Sequence, residues 1–144
     1  KHSKVLIANN IELLLNYCMR YYDRQFITRS VVNKDILARF EKLLDNYFES
    51  DLVHTLGLPS VKYCADKLHL SANYFGDLVK KETEKSPMEY IQLKVITLAR
   101  ERIFDRSKTI SEIAYGLGFK SPQHFSRMFK NETGQTPNEY RALN

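Results

Sequence analysis

An all-α fold is the expectation for this chain: two helix-turn-helix units in tandem, joined by a long connecting helix and preceded by additional N-terminal helices. Three observations lead there. A long C-terminal stretch repeats itself at a nearly constant offset, each copy carries apolar residues at the i, i+3, i+4, i+7 spacing of one helical face, and serine or threonine precedes these stretches where a helix start needs a side-chain acceptor.

Taken in order, Ser3 to Tyr22 reads as a helix whose Val5, Leu6, Ile7, Ile11, Leu13, Leu14, Leu15, Cys18, Tyr21 and Tyr22 cover much of its circumference. Such a helix needs a partner on more than one side. A dimerisation or interdomain helix and an extra core helix both satisfy that need. Asn33 is then read as the cap of a second helix with a one-sided stripe of Ile36, Leu37, Phe40, Leu43, Leu44, Tyr47 and Phe48, expected to pack on the first helix-turn-helix. Asp51 to Pro59, with Gly57 and Pro59, reads as a connector.

The repeat follows. Ser71 to Tyr90 overlays Ser121 to Tyr140 at a shift of 50, with eight of twenty positions identical, among them Phe75/Phe125, Lys80/Lys130, Pro87/Pro137 and Tyr90/Tyr140. Upstream the shift is 49, pairing Val61, Ala65, Leu68 and Leu70 with Ile110, Ala114, Leu117 and Phe119, so Lys120 is one extra residue in the second turn. The small Ala65 and Ala114 suit a close crossing of two short helices. Thr109 with Glu112 forms a capping box, Ser71 and Ser121 cap the second helices, and Pro122 fits the first helical position. Ser86-Pro87-Met88-Glu89 and Thr136-Pro137-Asn138-Glu139 each start a new helix. The first of these runs to about Asp105; about 18 residues span about 27 Å, near the ~34 Å between major-groove faces one turn apart. The expected organisation is an N-terminal interdomain or dimerisation segment (1–32), a first unit (33–90), the connecting helix (87–106) and a second unit (107–144).

At 144 residues, 43% apolar and 27% charged, the composition is that of a globular protein with a core. Cys18 and Cys64 lack a C-x-x-C partner, which favours reduced thiols and a cytoplasmic setting over a disulfide or zinc framework. No apolar run approaches the ~20 residues of a membrane span, and a chain opening at Lys1 is expected to be part of a longer one. A net charge of +5 fits a polyanionic partner without demanding one.

On the second helix of each unit, Phe75, Leu78 and Val79, like Phe125, Met128 and Phe129, project toward the core. The opposite face presents Asn73, Gly76, Asp77 and Lys80 in one copy and Gln123, Ser126, Arg127 and Lys130 in the other, with Tyr74 and His124 at the flank. Asn73, Tyr74, Asp77, Gln123, His124 and Arg127 are the candidate base readers: arginine donates twice to guanine O6 and N7, and glutamine pairs bidentately with adenine. Lys80, Lys81, Lys120 and Lys130, with the helix starts at Ser71 and Ser121, are the candidate phosphate contacts. Because Asp77 stands where the other copy has Arg127, the second unit is expected to supply more base-specific energy and the first more register.

The stretch from Ile110 to Arg141, I-x-x-I-A-Y-G-L-G-F-K-S-P-Q-H-F-S-R-M-F-K-N-E-T-G-Q-T-P-N-E-Y-R, resembles the DNA-binding domain of the AraC-type family of bacterial transcription regulators, and Val61 to Tyr90 is a weaker copy. The resemblance implies promoter DNA as partner, contact with RNA polymerase, an upstream cupin-like effector or dimerisation domain, a homodimer through that domain or the N-terminal helix, and a bacterial, nucleoid-associated location. Glu84, where the family's first unit often has glycine, and Gly76-Asp77, in place of a Ser-Arg-like pair, depart from the pattern.

Other classes find less support. His2, His54, His69 and His124 share no ligand spacing with cysteine or acidic residues, and no phosphate loop or nucleophile motif is present, so no enzyme, metal or cofactor is expected. Asn131-Glu132-Thr133 matches a glycosylation acceptor by chance. RNA is disfavoured because a helix cannot enter the narrow major groove of A-form duplex. A helical protein-interaction module is the alternative reading, distinguished by its weaker dependence on salt.

Overall fold

The computed structural model describes residues 2–143, the side chains of His2 and Phe26 excepted. Lys1, read above as a sign of a longer chain, and the His2 imidazole, weighed as a ligand, lie outside the described residues. Among the described residues there are eight helices and no strand: α1 (His2–Glu49), α2 (Leu52–Leu56), α3 (Val61–Lys67), α4 (Ala72–Thr83), α5 (Pro87–Arg102), α6 (Ile110–Gly116), α7 (Pro122–Thr133) and α8 (Pro137–Leu143). The chain divides into two compact units, residues 1–36 and 37–144.

The first unit is helical, and its Leu6, Ile7, Ile11, Leu14 and Tyr21 are exposed. Asn33, expected to start a new helix, lies inside α1. Residues 1–50 contain no glycine or proline, and an asparagine in mid-helix costs only about 0.7 kcal/mol relative to alanine, so nothing in the local sequence ends the helix there.

In the second unit the repeat is visible in the element bounds, since α6 and α7 follow α3 and α4 at offsets of 49 and 50. The caps recur with it. Ser60 and Thr109 accept from the amides of Tyr63 and Glu112, and Ser71 and Ser121 from those of Tyr74 and His124. Thr136 and Glu139 complete a reciprocal box, each side chain accepting from the other's amide at 3.2 Å. Ala65 and Ala114 are buried at the two crossings. Phe40 of α1 fills the first subdomain, edge-on to Phe75 at 4.9 Å. Phe125 and Phe129, with Phe119 at 5.2 Å and Tyr140 at 5.4 Å, fill the second.

Two boundaries differ from expectation. The presumed connector contains α2, whose Val53 is buried, and Tyr47 ties its end down by donating to the Gly57 carbonyl at 2.6 Å. The connecting helix α5 ends at Arg102 rather than near Asp105, which leaves 16 residues, about 24 Å. Arg141 of α8 holds the chain that leaves it, donating from Nε to the Ile103 carbonyl at 2.7 Å and from Nη2 to the Lys108 carbonyl at 3.0 Å. The Ile103 carbonyl lies at the helix end, where carbonyls lose their intrahelical partners.

Candidate nucleic-acid interface

Helices α4 and α7 are amphipathic for the reason their spacing gives: a row of large apolar side chains is drawn into each core, so the remaining positions face water. On α7, Phe125 and Phe129 are fully buried, and Met128, expected in the core, is half-buried. Gln123, His124, Arg127 and Lys130 are exposed. On α4, Phe75, Leu78 and Val79 are buried while Asn73, Tyr74, Asp77, Lys80 and Lys81 are exposed. The neighbouring Gly76 and Ser126 are half-buried. Each copy therefore brings its candidate base readers onto one solvent-facing side of one helix.

The supporting contacts differ between copies. The His124 ring meets Phe119 edge-on at 5.4 Å, so the core sets the position of this flanking side chain. Tyr74, at the matching place, is half exposed. Ser71 and Ser121 spend their hydroxyls on capping, at 3.1 and 3.2 Å, and any phosphate they attract would be met by backbone amides. Lys120 is exposed in the turn before α7 and Lys130 is in the last turn of that helix, which carries one acid, Glu132. Helix α4 carries Asp77 and Glu82 beside Lys80 and Lys81, so its field toward a polyanion is weaker.

Several residues that hold these helices in place escaped the sequence reading. Tyr90 of α5 donates to the Glu41 carboxylate, and Lys94 pairs with Asp45, joining the connecting helix to α1. Burial, then the Glu41 bond, pushes the Tyr90 phenol well above its ordinary range. In the loop after α5, the Ser107 hydroxyl and amide donate to Asp105 Oδ1 at 2.5 and 3.1 Å and hold its carboxyl below the usual value. Residues spaced 33 to 49 apart in the chain make the α1–α5 and α8–loop contacts, and helical periodicity carries no signal at that range. Among the described residues no cluster of His, Cys, Asp or Glu could hold a metal ion, and no helix is long and apolar enough to cross a membrane. Both cysteines are free thiols, Cys18 exposed and Cys64 buried.

The profile of a family described as a helix-turn-helix domain matches residues 64–143. The TetD protein of transposon Tn10, from Escherichia coli, is 37% identical over 134 residues, which cover 93% of this chain and 83% of TetD. Of two other curated relatives the chain spans about half the length or less, 49% and 38%. Among solved structures, the C-terminal domain of the response regulator YesN from Fusobacterium nucleatum is 26% identical with a TM-score of 0.59, over 70% of this chain and 96% of that one. The DNA-binding domain of AdpA, a global transcriptional factor solved with a target DNA, shares the fold with a TM-score of 0.61 at 20% identity, over 72% of this chain and 90% of that one. With the profile covering more than half of its residues and TetD matched over most of its length, this chain belongs to the AraC-type family of helix-turn-helix domains, a family of DNA-binding transcription regulators.

Proposed function

We propose that this chain reads promoter DNA by placing α4 and α7 in successive major grooves of one duplex, with Gln123, His124 and Arg127 supplying most of the base discrimination and Asn73, Tyr74 and Asp77 setting register. The observation that carries the reading is the recurrence, at matched positions, of a buried apolar row and an exposed hydrogen-bonding row on two helices. Lys80, Lys81, Lys120 and Lys130, with the amides after Ser71 and Ser121, neutralise phosphates. Alanine changes at Arg127 and Asn73 test the ranking in a binding titration on a selected duplex. Arg127→Ala should cost about 1–3 kcal/mol and relax specificity at one base pair; a larger loss from Asn73→Ala would reverse the assignment.

The same reading includes a regulator without catalytic activity, working in the bacterial cytoplasm at the nucleoid and touching RNA polymerase, for which family membership is the support. It also pairs the N-terminal helix with a second copy. Ile7, Ile11, Leu14, Cys18 and Tyr21 recur at alternating four- and three-residue steps and are exposed, as the seam of a two-stranded coiled coil requires.

A further inference from the structure

The turn between α6 and α7 is built around Gly118, at φ +96°. The matching residue of the first copy is His69, at φ +59°. A left-handed residue in this turn is therefore not restricted to glycine, since the first copy carries histidine there with its side chain in solvent. The two turns differ in φ, Gly118 lying beyond the range that residues with a Cβ favour, and also in what lies beside them. A Cβ built on Gly118 would stand 2.9 Å from the Gly57 carbonyl carbon, 3.0 Å from the Leu58 amide nitrogen and 3.0 Å from Val53 Cγ2. Two of these are backbone atoms, which cannot rotate away. The end of α2 and the chain leaving it, tied to α1 by the Tyr47 hydrogen bond to the Gly57 carbonyl, thus rest directly on the turn that launches the second reading helix.

We infer that the contact of Val53, Gly57 and Leu58 with Gly118 determines specificity: it fixes α7 relative to α4 and so sets which separation of two DNA blocks the protein accepts. This rests on the proposal that both helices read one duplex. Helix α5 and the Arg141 bonds join the subdomains on one path; the glycine contact is a second, and two connections remove the swivel that a single helix leaves. Gly57 is itself at φ +79°, in a conformation suited to glycine, and a Cβ there would lie 3.3 Å from the Gly118 carbonyl oxygen. Neither glycine of the contact places a Cβ between the two backbones. The extra residue Lys120 and Tyr115 line the rim of the same junction opposite His54 and Leu56.

Gly134 provides the matched control, for it too is left-handed, at φ +81°, yet nothing lies within 4 Å of a Cβ placed on it. The experiment measures binding of the whole chain to a duplex carrying its two selected blocks, and to duplexes with two or five base pairs inserted between them. Linked modules that both engage gain about 10²–10⁴ over one, so the parent should lose at least about 100-fold on insertion. Gly118→Ala should lose less than about tenfold, and Gly134→Ala should behave as the parent. If Gly118→Ala does not fold, as judged by circular dichroism, Val53→Ala opens the same contact without backbone cost and should also flatten the response. Full spacing discrimination in a folded Gly118→Ala, or in Val53→Ala when that variant stands in, overturns the inference alone. Selection of a single block by the parent overturns the two-helix reading along with it.

Discussion

Glu84 and Gly134 close equivalent helices in the same left-handed conformation, at φ +62° and +81°. A residue with a Cβ bears about 1–2 kcal/mol there, partly offset by the greater chain entropy glycine loses on folding. Glu84→Gly should accordingly stabilise the protein by about 0.5–1 kcal/mol in denaturant unfolding, whereas Gly134→Glu should destabilise it. Cys64 offers a pH signal. It is fully buried, and desolvation raises its thiol from 9.0 to about 11. Because the folded value lies above the unfolded one, the contribution is complete below pH 9 and is lost as pH climbs from 9 to 11, amounting to about 2–3 kcal/mol for a shift of this size. The stability gap between the parent and Cys64→Ala should therefore narrow across that interval; a constant gap would contradict a neutral buried thiol. The exposed Cys18 should react with a thiol reagent in the native state well before Cys64 does.

Among the elements, the short helices were the most legible, because their starts are chemical events confined to four residues: Ser71, Ser86, Thr109 and Ser121 all cap as their spacing implies. The long ones were less so. Asn33 has the right chemistry for a cap but sits in a stretch with no breaker, and a helix continues until something stops it. The chain leaving α5 is held by Arg141, 38 residues from the Ile103 carbonyl it binds. Arg141→Ala should cost about 1.5–3 kcal/mol, as expected for a charged donor withdrawn from carbonyls at a helix end. Arg141→Lys should recover only part of this, since one ammonium cannot reproduce the fork. The seam on α1 makes a sharper demand: mild oxidation should link two copies through Cys18 if they pair in parallel and in register, and a Cys18→Ser chain should still sediment as a dimer. A monomer in sedimentation at micromolar concentration would remove that part of the proposal.

For the molecule as a whole, attraction to the phosphate backbone is the test that separates DNA binding from protein docking. With Lys80, Lys81, Lys120 and Lys130 on phosphates, the logarithm of the association constant should fall against that of salt with a slope of about −3 to −4. A slope near zero would favour the helical interaction module. The existence of two copies, their caps, their core rows and their exposed polar rows could all be read from residue order alone, because each depends on contacts within one or two helical turns. The relative pose of the copies could not. Arg141 reaching the loop after α5, Tyr90 reaching Glu41 and the Gly57 backbone resting on Gly118 join residues 33 to 61 positions apart. Such pairings follow from chain packing in three dimensions, where no local periodicity announces which distant atoms will meet.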